Sequence, residues 1–164
     1  MSQELDQLLH RKVSDLCERG DAYVEAGEHE TAVERYEEAL SLLPRPLHRW
    51  HASTWILTAL GETLYFLKRH REAVSALEEA LRYPRGLGNP LVHLRLGQAA
   101  LELGDEGYAR EQLARAYMAA AEEVFQGEDP KYLSLAREAA QARIADVARR
   151  TAENEADEAA EDRE

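Results

Sequence analysis

Glycines at positions 20, 61 and 97 are each followed by an alanine twelve residues on, at Ala32, Ala73 and Ala109, and by another nineteen residues on, at Ala39, Ala80 and Ala116. Larger residues keep the same register. Leu16, Leu57 and His93 precede each glycine by four; Tyr23, Leu64 and Ala100 follow it by three; Tyr36, Leu77 and Leu113 follow it by sixteen. In the first copy, Gly27 separates two stretches that both read as helical. A glycine or alanine where two helices cross lets their axes approach, and the larger neighbour fills the adjacent hole. One antiparallel pair leaves an apolar face uncovered, so copies stack until a cap ends the row.

The arrangement Leu16, Gly20, Tyr23, Ala32, Tyr36, Ala39 and Pro44 resembles the tetratricopeptide repeat. Three copies cover about 13–46, 54–87 and 90–123, roughly two thirds of the chain. Arg19 stands where the family favours leucine, His93 where it favours a large apolar residue, and Lys68 at the turn position held by Gly27 and Gly104 in the other copies. The resemblance implies an all-α fold: a right-handed α-solenoid of three helix hairpins, closed by a C-terminal capping helix.

Successive glycines are 41 and 36 residues apart, against about 34 residues per repeat in the family. Pro44 and Pro46 break one helix and suit the start of the next, which predicts a long helix over about 47–67. The second excess falls in YPRGLGNP, residues 83–90, a loop with Asn89 as helix cap and Pro90 in the first turn. A helix from Glu106 to Gln126 is expected to end at Gly127, and Asp129 and Pro130 start another over about 130–150. On that last helix Leu133, Ala136, Ala140, Ile144 and Val147 fall on one stripe, backed by Arg137, Glu138, Gln141 and Asp146, as a capping helix requires. One domain over 1–152 is expected. Residues 153–164 carry seven acids and one arginine, and read as a frayed helix end or disordered tail.

The net charge of −12 disfavours nucleic acid and favours basic partners. The longest stretch free of formal charge, Trp50 to Gly61, is too short and too polar to cross a membrane. Glu4 and Asp6 stand where a secretory signal would carry Lys or Arg. Cys17 is the single cysteine. A cytoplasmic protein is expected.

In the family that the repeats resemble, the first helix of each pair lines a concave face. Carried over position by position, that face would hold Glu18 and Asp21 from the first copy, with Cys17 and Glu25 beside them. The second copy would supply Trp55, Glu62, Tyr65 and Phe66, and the third Arg95 and Gln98, with Leu94 among their neighbours. An aromatic centre flanked by carboxylates suits an apolar or basic segment of another protein. Family members that grip chaperone tails place Lys, Asn and Arg on this face, where Glu18, Asp21 and Glu62 stand here.

Catalytic features are weak. His48 and His51 lie three apart without a third metal ligand, and Lys68–Arg71 is a basic turn. No phosphate-cradling glycine loop or nucleophile elbow occurs. Neither enzyme activity nor a cofactor is expected. Residues 114–135 resemble the end of small bacterial tetratricopeptide proteins found beside polymorphic toxins. This resemblance implies an immunity protein that neutralises a toxin domain; the alternative is a general adaptor or chaperone taking short peptides. A homodimer is a further possibility.

Overall fold

The computed structural model describes the backbone of residues 2–161 apart from 84, and the side chains of 7–156 apart from 48 and 84. Seven α-helices account for most of it: α1 Ser2–Glu25, α2 His29–Leu42, α3 His51–Phe66, α4 His70–Leu81, α5 Pro90–Glu102, α6 Glu106–Ala120 and α7 Pro130–Glu161. Each packs on its neighbours in chain order, and α3 also touches α5. The arrangement is three antiparallel hairpins in a row with α7 laid against α6.

The recurring glycines sit where the two helices of each hairpin touch. A Cβ added at Gly20 would lie 2.5 Å from Tyr36, one at Gly61 2.5 Å from Leu77, and one at Gly97 2.7 Å from Leu113. The contact partner is in every copy the residue sixteen positions on. All six template alanines are fully buried. The template is therefore a packing rule: no side chain at the crossing on the first helix, one large side chain opposite, and alanines where α2, α4 and α6 press on their neighbours.

Turn chemistry also repeats. Gly27, Lys68 and Gly104 link the helices of the three hairpins at φ of 77°, 61° and 82°. The middle hairpin thus holds a lysine in a backbone region that costs an L-residue about 1–2 kcal/mol. Asn89 accepts a hydrogen bond from the Leu91 amide at 3.0 Å to start α5, Asp105 accepts from Tyr108 at 3.1 Å for α6, and Asp129 accepts from Lys131 at 2.9 Å for α7.

Three helix boundaries depart from expectation. No single helix runs over 47–67: a 3₁₀ turn spans Leu47–Arg49, Trp50 is extended, and α3 starts at His51. The Trp50 indole donates to the Pro44 carbonyl at 2.7 Å, and Ser53 Oγ donates to the Leu47 carbonyl at 2.7 Å. These bonds hold the turn closed against helix propagation. Likewise α6 stops at Ala120 rather than Gln126. Ala121 takes φ 49°, ψ −131°, and a 3₁₀ turn, Glu123–Phe125, follows before Gly127. Stopping early swings Phe125 into the core, where it is 5% exposed in a cluster with Leu94, Leu113, Ala116, Tyr132 and Ala136. Third, α7 runs past the expected end near 150 to Glu161, into the tract that reads as a frayed helix end or disordered tail. Alanine and glutamate, strong helix formers, dominate there. The stripe predicted for α7 divides: Ala136 and Ala140 are buried and Leu133 half-buried, whereas Ile144 and Val147 are exposed. Residues 162–164 lie outside the described residues.

His93 explains its own departure from the repeat. It is buried, with Nδ1 2.7 Å from Gln112 Oε1 and Nε2 2.8 Å from the Leu87 carbonyl. A large apolar residue would fill this space but leave both partners unpaired. The imidazole ties α5 to α6 and to the extended loop that precedes α5.

Candidate functional site

α1, α3 and the start of α5 form one wall of a groove with a volume of about 700 Å³. The wall follows from helix geometry. Thr54, Trp55, Thr58, Ala59, Glu62 and Phe66 recur at three- and four-residue spacing along one face of α3. Asp21, Val24 and Glu25 of α1 face them, with Tyr36 between and Arg85, Asn89 and Leu91 at the α5 end. Trp55 and Phe66, 46% and 50% exposed, are eleven residues apart on α3, or about 16 Å at 1.5 Å per residue. That interval matches roughly five residues of extended chain at about 3.3 Å each.

Of the eight residues that the sequence placed on this face, Asp21, Trp55, Glu62 and Phe66 line the groove. Asp21 is not a bare carboxylate, because it accepts a 2.6 Å hydrogen bond from the Tyr36 hydroxyl. Tyr36 stands edge-on to Trp55, 6.3 Å between ring centres, and so supports both. Burial, reinforced by the bond to Asp21, pushes the Tyr36 phenol well above its usual range. Glu18 is exposed on α1 but outside the groove lining. Cys17 and Leu94 are buried in the core rather than on the face. Burial first, then Asp21 and Glu18 nearby, pushes the Cys17 thiol up to about 11.

Tyr65, Arg95 and Gln98 do not line the groove either. Gln98 is fully buried and Arg95 is 7% exposed. Arg95 donates through Nε to Glu62 Oε1 at 2.8 Å and through Nη1 to Glu128 Oε1 at 2.6 Å; Nη1 also reaches Gln98 Oε1 at 2.9 Å. Gln98 Nε2 completes the ring by donating to Glu128 Oε2 at 2.8 Å. The guanidinium carbon lies 5.0 Å from the centre of Phe66 and 5.7 Å from that of Tyr65, within cation–π range. Burial alone would lower the Arg95 pKa; Glu62 and Glu128 outweigh it and hold the group above its ordinary value. The Tyr65 hydroxyl lies 3.3 Å from that of Tyr132 on α7.

Sequence reasoning missed Glu128 and Tyr132. Both follow the early end of α6, and the segment from Ala121 to Asp129 carries no periodic signal. By crossing back over α5, this segment seals the third copy's part of the concave face. Only the stretch between α1, α3 and the start of α5 stays open. The open stretch carries Asp21, Glu25 and Glu62 against Arg85 and His51.

No three His, Cys, Asp or Glu side chains among the described residues converge as a metal site would require. The side chain of His48, one of the two histidines noted in the sequence, lies outside the described residues. Among the described residues no helix is long and apolar enough to cross a membrane.

Comparison with known proteins bears on the fold. A sequence model described as the tetratricopeptide repeat matches residues 14–85. A comparison with curated proteins finds no match. Solved structures similar to this chain include the first tetratricopeptide domain of Spaghetti (RPAP3) bound to the HSP90 peptide SRMEEVD, at 19% identity and a TM-score of 0.60, with 82% of this chain and 94% of that one covered. The Arabidopsis OM64 tetratricopeptide domain is 16% identical with a TM-score of 0.63, covering 82% and 98%. PcrH in complex with the chaperone binding region of PopD is 19% identical with a TM-score of 0.60, covering 86% and 95%. The repeat template, the hairpin stack and these likenesses agree on the fold: an α-solenoid of tetratricopeptide-like hairpins with a C-terminal helix, of which residues 14–85 match the sequence model of the repeat.

Proposed function

We propose that the protein is a non-catalytic binding module whose groove between α1, α3 and the start of α5 takes an extended segment of a partner protein, apolar against Trp55 and Phe66 and basic toward Asp21, Glu25 and Glu62. The observation that carries this reading is a pair of half-exposed aromatic rings at the two ends of one groove, with carboxylates between and beside them. Exposed aromatic side chains in a concave setting supply large contact area at low entropy cost. The surrounding acids select cations and speed encounter. Similar folds carry partner segments, as the HSP90 peptide on RPAP3 and the PopD region on PcrH illustrate. SRMEEVD, with three acids and one arginine, suits this groove poorly because Asp21, Glu25 and Glu62 would face its carboxylates.

The test is selection of peptides on the full chain from a random library. Selected sequences should combine large apolar residues with Lys or Arg within about five positions, the length that the spacing of the rings sets. Trp55→Ala should cut their affinity by roughly tenfold or more, as loss of a central aromatic contact does. Acidic consensus sequences, or binding indifferent to Trp55→Ala, would refute the assignment.

The finer proposal is that the occupant belongs to one toxin domain and that binding neutralises it in the cytoplasm. Its support is the resemblance of residues 114–135 to toxin-associated proteins, together with the net charge of −12. The alternative, a general adaptor or chaperone, has the support of the peptide-bearing folds. Pull-down from the source cells separates them: a single dominant partner held tightly, and released by salt, fits neutralisation, whereas many weak clients sharing a motif fit the adaptor.

A further inference from the structure

The groove is not electrically uniform, and the register of the repeats orders its charges. Asp21 and Glu62 each follow the crossing glycine of their helix by one residue, so they share a level; Glu25 and Phe66 each follow it by five and share the next. Trp55 and Leu91 each precede the glycine by six, toward the other end, with His51 one turn further out on α3 and Arg85 and Asn89 ahead of α5. All three acids of the lining thus stand at the Phe66 end, and its one arginine, with His51 and Asn89, at the Trp55 end. From His51 to Glu62 is eleven residues, or about 16 Å along the helix at 1.5 Å per residue. That exceeds the screening length of about 8 Å at physiological salt, so the two ends do not neutralise each other.

Helix dipoles act in the same direction on a ligand. α1 and α3 are the first helices of successive hairpins and bring their carboxyl ends to the Phe66 end, while the amino ends of α3 and α5 lie at the Trp55 end. Neither α1 nor α3 has a basic residue in its last turn. Carboxylates there oppose the dipoles of their own helices, a cost that persists until a cation covers them. Glu62 shares Arg95 with Glu128, two carboxylates on one guanidinium, and so leaves that end negative. Lys68 and Arg69, in the turn after Phe66, do not offset it: neither lines the groove, and Arg69 is bonded to Glu30 and Glu72.

Arg85 is exposed, but the loop that carries it is pinned. Gly86 beside it is buried, and a Cβ there would strike the Ala80 carbonyl of α4. The Gly86 amide donates to the Tyr83 carbonyl at 2.9 Å, the Asn89 amide donates to the Gly86 carbonyl at 3.0 Å, and the His93 imidazole holds the Leu87 carbonyl at 2.8 Å. Little loop ordering is therefore left for a partner to supply when it meets the guanidinium.

We infer, on the basis of the binding role proposed for this groove, that it selects a bipolar segment: an acidic side chain meets Arg85 and His51 beside Trp55, a basic one meets Asp21 and Glu25 beside Phe66, and the two are about five residues of extended chain apart. A uniformly basic segment would set a cation on Arg85, and a uniformly acidic one a carboxylate on Asp21 and Glu25. Arg85 and Glu25 determine specificity, while Trp55 and Phe66 supply contact area.

Selection from a random peptide library on the full chain at low ionic strength tests this. Enriched sequences should pair Asp or Glu with Lys or Arg about five positions apart, with large apolar residues alongside. In an enriched peptide, replacing the acid by Gln should weaken binding about twofold to fivefold on the wild-type chain, the range of an exposed ion pair, and should change nothing on Arg85→Gln. The same peptide with Lys in place of the acid should bind Arg85→Glu more tightly than it binds the wild type. Arg85 is exposed, so both variants should keep the melting transition of the wild type. Enriched sequences with bases at both ends, or an effect of the acid that persists on Arg85→Gln, would overturn the inference and leave the binding role standing. Uniformly acidic enriched sequences, the chemistry of this chain's own residues 153–164, would overturn both. So would binding indifferent to Trp55→Ala, or a selection that enriches nothing.

Discussion

Adding one methyl group at Gly61 tests the packing rule on which the stack is built. The new Cβ would lie 2.5 Å from Leu77 Cγ and 2.7 Å from Cδ2. Leu77 is fully buried, and Cγ is a branch point close to the α4 backbone, so the side chain cannot swing aside. Overpacking of this kind costs about 1–3 kcal/mol. Replacing glycine by alanine within a helix contributes about 1 kcal/mol in the other direction. The steric term should win by a small margin, leaving Gly61→Ala destabilised by about 1 kcal/mol, or roughly 2–4 °C in melting temperature for a chain of this size. Leu77→Ala alone should cost about 2–5 kcal/mol through lost burial and the cavity it leaves. In that background Cγ and both methyls are gone, and Gly61→Ala should turn stabilising by up to about 1 kcal/mol. The two substitutions should therefore couple by about 2 kcal/mol, read by urea unfolding followed by circular dichroism on the four variants of the cycle. Gly107 is the internal control. It is also helical, but its added Cβ would meet nothing nearer than Asp105 Oδ1 at 3.9 Å, so Gly107→Ala should stabilise by a few tenths to about 1 kcal/mol. Additivity of the Gly61 and Leu77 changes within about 0.5 kcal/mol would refute the contact, and with it the reading of the repeat as a crossing rule.

Four other outcomes follow from the turn, the buried histidine and the buried acids of the core. Lys68→Gly should stabilise by up to about 1 kcal/mol, because the position has φ 61° and the other hairpins use glycine there; a lower urea midpoint would contradict this. His93→Leu should destabilise by about 1–3 kcal/mol despite its apolar fit, since Gln112 and the Leu87 carbonyl lose their buried partner, and a neutral result would show that water replaces the imidazole. Stability should fall as pH rises from about 9: burial raises the Cys17 thiol to about 11 and the Tyr108 phenol to about 12, and raises Tyr36 and Tyr65 further. The folded state prefers each of these groups protonated, so their contribution is complete below the unfolded values and is lost as pH climbs toward the folded ones. For the same reason, alkylation of native Cys17 at pH 8 should be slow relative to the unfolded chain, and equal rates would contradict its burial.

The parts of this structure legible in the sequence were those fixed by repetition. Gly20, Gly61 and Gly97 and the residue sixteen after each are contacts between two helices of one hairpin, close in sequence and periodic, so their spacing encodes the geometry directly. The groove was half legible for the same reason: Trp55, Glu62 and Phe66 share one face of one helix, and Asp21 lies on the facing helix of the preceding hairpin. What escaped lay in segments without a period. Nothing local in the tract Ala121 to Asp129 announces that α6 stops at Ala120, yet that stop sets Phe125 in the core and Glu128 on Arg95. Trp50 is similar, since an indole reaching back to Pro44 depends on the shape of the turn and not on helical spacing.

Arg95 shows what such a segment does to the concave face. Glu62 and Glu128 both bond to it, so the ring of Glu62, Arg95, Gln98 and Glu128 holds one positive and two negative groups at the floor of the concave face. Removing the arginine would leave two partly buried carboxylates facing each other, whereas removing Glu128 leaves Arg95 with Glu62 still bonded to it. With Glu128 in place both edges of the Arg95 guanidinium are engaged by carboxylates; without it, Nη1 would keep only the Gln98 amide oxygen. This closed arrangement is why the first helices of the three hairpins, read alone, place Arg95 and Gln98 on an open face, whereas in the folded chain both are buried.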